Sequence, residues 1–141
     1  MKKIISLALV CLLLVGTMFS LASCGASAPN SDPDKALAAL KANGYEAEKL
    51  DGFSMLTFPD AKCAITGVKE SEDEDKFVDT IFIIYYKSAE DAKDHWDGIQ
   101  DFFNKMMDEA DKEEVNESDW VINQSGSMIY FGTKAAVADA K

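Results

Sequence analysis

Few residues in this chain are suited to chemistry. Cys63 is the one thiol beyond position 24 and His95 the one histidine, so together they offer a single nucleophile and base pair of the kind used in covalent catalysis. Cys63 lies in an apolar stretch reading Cys-Ala-Ile, where a small thiol packs as a hydrophobe, and His95 stands one position off an apolar helical stripe. Packing is the favoured reading of Cys63, and a place at the flank or surface of the helix that of His95. A hard cation is the second chemistry on offer: Glu70 to Asp75 holds five acids in six positions, with Asp73 and Asp75 as the candidate calcium ligands. The segment lacks the spaced ligands and the glycine of the twelve-residue calcium loop, so a solvated hairpin tip is favoured and no cofactor is expected. The third set is Tyr85, Tyr86, Trp120, Tyr130 and Phe131, aromatics that suit a groove for sugars, peptides or a partner surface and equally suit a sheet core.

The elements that must position these residues follow from periodicity and punctuation. Asp32-Pro33 starts a helix, with the carboxylate capping free amides and Pro at the first turn, and Asn43-Gly44 ends it with Tyr45 packing back. Gly52 to Phe58 and Lys62 to Lys69 read as two strands of a hairpin turning at Pro59-Asp60. Phe77 to Tyr86 is β-branched and aromatic on both faces, the pattern of a central strand covered on two sides. Ser88 caps a long helix whose stripe is Ala89, Ala92, Trp96, Ile99, Phe103, Met106 and Ala110. Trp120 to Asn123 and Ser127 to Phe131 bracket the turn Gln124-Ser125-Gly126, and Thr133 caps a short alanine-rich helix. The predicted class is α+β, a mainly antiparallel sheet of about five strands in the order α-β-β-β-α-β-β-α.

The N-terminus follows a different logic. Lys2 and Lys3 precede an apolar run from Ile4 to Val15 broken only by Ser6, and Leu21-Ala22-Ser23-Cys24 follows. That tetrapeptide resembles the lipobox of bacterial lipoproteins at each of its four positions, over about the first 25 residues. The resemblance implies diacylglycerol on the Cys24 sulfur and cleavage between Ser23 and Cys24. Two acyl chains hold a protein on a membrane stably, where one holds it marginally. The alternative is an uncleaved helix from Ile4 to Leu21, about 18 residues and only just long enough to span. The expected organisation is a signal peptide over 1–23, the lipidated cysteine and a flexible tether over 24–34, and a single domain over 35–141.

Removing 23 of 141 residues leaves 118, enough for one ordinary core. Lys2 and Lys3 leave with the signal, so the mature body sets 12 Lys against 25 acids, near −13, and it has no Arg. Such a field disfavours nucleic acid and anionic ligands, so attachment to a membrane must come from the lipid. Cys63 is then the only unmodified thiol, and the core alone must hold the fold. The expected role is a non-enzymatic binding or accessory module on the extracytoplasmic face of the membrane, with an envelope protein or a small ligand as partner. The alternatives are an envelope enzyme using a carboxylate pair and a calcium-stabilised structural domain.

Overall fold

A computed structural model describes residues 28–52, 56–70, 79–110 and 119–141. Its elements are α1 (Pro33–Ala42), β1 (Glu46–Leu50), β2 (Ala61–Lys69), β3 (Asp79–Tyr86), α2 (Ala89–Glu109), β4 (Trp120–Ser125), β5 (Met128–Thr133) and α3 (Lys134–Asp139). The class and element order are those expected. All strand pairs are antiparallel, in the spatial order β1-β2-β3-β5-β4.

The three helix starts follow the capping chemistry of the sequence. The Asp32 carboxylate accepts from the amides of Asp34 and Lys35, the Ser88 hydroxyl from Asp91, and the Thr133 hydroxyl from Ala136. The Thr133 hydroxyl also donates to Asp79 at 2.9 Å, tying the start of α3 to the start of β3.

β3 is the central strand, and its alternation separates two cores. Ile81, Ile83 and Tyr85 face one side, where Leu40 of α1, Ala136 and Val137 of α3, and Ala28 cover them. Ile84 and Tyr86 face the other side, with Phe82 partly buried there, under Ala92, Ile99 and Phe103 of α2. Trp96 and Met106 complete the α2 stripe half-buried, whereas Ala89 is exposed. On the α2 side a chain of rings crosses the sheet: Phe58 to Phe82 at 5.5 Å, Phe82 to Phe131 at 5.3 Å, Phe131 to Phe103 at 5.7 Å and Phe103 to Trp120 at 6.3 Å. Each such pair adds about 1 kcal/mol beyond simple burial.

The first strand differs from expectation. β1 spans Glu46–Leu50, whereas Gly52 and Leu56 to Phe58 lie outside any strand and 53–55 lie outside the described residues. The reason is position: β1 is an edge strand, so its charged residues point to solvent while Ala47 and Leu50 pack inward. The last hairpin turns at Gly126-Ser127, one step later than expected, because Gly126 (φ 56°) supplies the positive φ that the first position of a two-residue turn requires. Residues 77 and 78 of the expected central strand lie outside the described residues.

Gly132 of β5 lies tight against β3: a Cβ there would collide with the Thr80 carbonyl oxygen and reach 2.8 Å from Ile81 Cα. Gly132→Ala is therefore expected to destabilise the protein by about 3 kcal/mol, the upper range for forcing atoms into a packed core. Gly98, exposed in the middle of α2 with open space around it, is the control. Gly98→Ala should raise stability by up to about 1 kcal/mol through helix propensity alone. Urea unfolding of the two variants checks both signs.

Candidate functional site

β2 and β3 decide the fate of the Cys63 and His95 pair. Cys63 is paired with Tyr85 and shares its core, on the side covered by α1 and α3. His95 projects from α2 on the opposite side, where its ring stacks on Tyr86 at 5.2 Å and its Nε2 lies 3.3 Å from the Asp60 carboxylate. The sheet stands between them, so they form no dyad. Cys63 is 5% exposed, and burial pushes its thiol up, away from the thiolate that a nucleophile needs. Asp60 is the one non-glycine residue with positive φ among those described, and its contact with His95 ties the turn before β2 to α2.

The aromatic set is divided in the same way. Tyr85 and Tyr130 belong to the α1 and α3 side, and Tyr86, Phe131 and Trp120 to the α2 side. Four of the five are 6% exposed or less, so they build two cores and no common groove. Among the described residues no group of three or more His, Cys, Asp or Glu is placed to hold a metal ion. Asp73 and Asp75 lie outside the described residues, as do Ser23, Cys24, the apolar run from Ile4 to Val15 and the alternative helix from Ile4 to Leu21.

The feature that sequence reasoning missed is a clasp at the N-terminal end of the body. The segment expected to be a free tether is held from Ala28 onward: Ala28 is 7% exposed and Pro29 is buried. The Asn30 amide donates to the Ala140 carbonyl at 2.8 Å, and the Tyr85 hydroxyl donates to the Asn30 carbonyl at 2.8 Å. The Asn30 side chain accepts from the Asp32 amide at 3.0 Å, which joins the clasp to the cap of α1. One residue thus links the segment before α1, the C-terminus and the central strand. A second polar link lies beside it, where Asn43 Nδ2 donates to the Asp139 carbonyl at 3.1 Å and the Tyr45 hydroxyl donates to the Asp139 carboxylate at 3.1 Å. The only sequence signal for the clasp was the small size of Ala28, which suits close packing.

The chain matches no family model, no curated protein and no solved structure.

Burial raises the proton affinity of three phenols. Tyr86 is pushed up to about 12, and Tyr45 and Tyr85 are raised further, chiefly by burial and at Tyr45 also by the bond to Asp139. A folded-state pKa above the unfolded one means that the folded protein holds a proton the unfolded chain releases. The associated stability is thus complete below the ordinary value of 10.0 and is lost as pH rises through about 12 for Tyr86. Each of the three tyrosines should contribute a loss of up to about 1.4 kcal/mol per pH unit in that window. Urea midpoints followed against pH, together with tyrosinate absorbance, check this: ionisation should coincide with unfolding. Tyr85→Phe removes the bond to Asn30, and it should cost about 1 kcal/mol and speed proteolysis between residues 28 and 31.

Proposed function

We propose that this protein is a lipid-anchored module of the bacterial cell envelope, held to the extracytoplasmic face of a membrane by acyl chains on Cys24 and acting by binding rather than by catalysis. The observation that carries the anchor is Leu21-Ala22-Ser23-Cys24 placed after Lys2, Lys3 and the apolar run. Small Ala22 and Ser23 suit a peptidase cleft, and a thiol is the side chain able to form a thioether.

Two features of the body agree with this reading. Ala28 and Pro29 are buried against the body, so cleavage before Cys24 would leave this packed segment attached. Among the described residues there is no disulfide and Cys63 is buried in one of two apolar cores, which is compatible with Cys24 carrying lipid instead of a bridge. A binding role is supported by where the reactive residues went: the Cys63 thiol is buried in one core and His95 is used to stack on Tyr86 and meet Asp60.

Cys24→Ser tests the anchor. In the native host the wild type should partition into detergent, and its N-terminal peptide should carry diacylglycerol on residue 24. The variant should keep its signal and carry no diacylglycerol. A mature wild-type protein with an unmodified thiol at position 24 would retire the reading.

A further inference from the structure

We propose that, in the anchored protein, the end of the sheet where the Asn30 clasp, Lys87, the Gly126 turn and Lys141 meet rests against the bilayer, with the opposite end turned outward. This rests on the anchor at Cys24 and adds an orientation to it.

The first argument is reach. Whatever conformation residues 25–27 take, four residues from Cys24 to Ala28 span at most about 14 Å. Ala28 is fixed to the body by burial, and Asn30 by hydrogen bonds to Ala140 and Tyr85, so the lipid is leashed to this end and no other. A free tether over 24–34 would reach about 35 Å and leave the body unoriented. The clasp removes most of that freedom.

The second argument is where the chain puts its surface at each end. β3 runs toward the clasp: Tyr85 touches Asn30, and the Tyr86 amide donates to the Ser127 carbonyl of the hairpin turn. Lys87 follows, then Ser88 and the start of α2, where Gln124 Nε2 donates to the Ala89 carbonyl. Lys141 shares a shallow recess with Ala28, Asn30, Ser125 and Met128.

At the other end of β3 lie the register pairs Lys69 with Asp79 and Trp120 with Thr133, so the connections between β2 and β3 and between α2 and β4 leave and return there. Positions 70–79 carry six acids and positions 108–119 carry seven, more than half of the 25 in the chain. β3 has eight residues, so its two ends stand about 23 Å apart. Described acids stand at both ends, Glu90 and Asp91 at the start of α2 and Asp79 and Asp119 at the far end, so the leash is what selects the orientation.

The test uses the lipoprotein purified from its host and incorporated into vesicles of phosphatidylcholine and phosphatidylglycerol that contain a headgroup-labelled nitroxide quencher. Lys87→Cys and Glu109→Cys place single surface thiols at the two ends for a fluorophore, and native Cys63 is buried and does not compete. The probe at position 87 should be quenched several-fold more than the probe at 109. Equal quenching, or stronger quenching at 109, in protein that floats with the vesicles and carries lipid on Cys24, overturns the orientation alone. Protein that does not float and has an unmodified Cys24 overturns the anchor, and the orientation with it.

Discussion

Everything in this body depends on β3 being apolar on both faces. A strand covered from two sides must present branched or aromatic side chains at odd and even positions alike, and Ile81, Ile83 and Tyr85 alternate with Phe82, Ile84 and Tyr86 to do so. That requirement creates two cores where a domain of this size ordinarily has one. It also explains why every helix is needed: α2 seals one side, and α1 with α3 seals the other. No disulfide among the described residues shares the task, so the interior packing must supply the stability alone.

Most of this architecture was legible in the sequence. The long stripe of α2, the caps at Asp32, Ser88 and Thr133 and the two-faced run of β3 are local signals, each carried by neighbours within one or two turns. What escaped was either charged or remote. β1 contains Glu46, Glu48 and Lys49, a composition that reads as loop until its place at the sheet edge is known. The clasp depends on partners 55 positions away at Tyr85 and more than 100 away at Ala140, and no local pattern foretells such bonds. A segment of small and polar residues looks like a linker, yet those same small residues pack closely once a surface is offered.

The candidate chemistry follows the same division. Cys63 pairs in register with Tyr85, and His95 stacks on Tyr86, so two adjacent residues of β3 send their neighbours to opposite sides of the sheet. A shift of one position between β2 and β3 would have reversed the outcome for Cys63. The sequence shows that a lone thiol and a lone imidazole exist, but their relation is set by strand register, a property of the whole sheet. The acids are the reverse case: their crowding into 70–79 and 108–119 is visible in the sequence, and the topology adds that both stretches join the body at one end.

Among the described residues, β1 and β4 each have a single strand neighbour, which leaves a row of backbone amides and carbonyls along two borders of the sheet. Copies concentrated on one surface would meet border to border, the geometry from which sheets grow into fibres. β1 is short, and exposed Glu46 and Glu48 set like charges against each other whenever two such borders align. The charges of this edge strand therefore oppose pairing along its border.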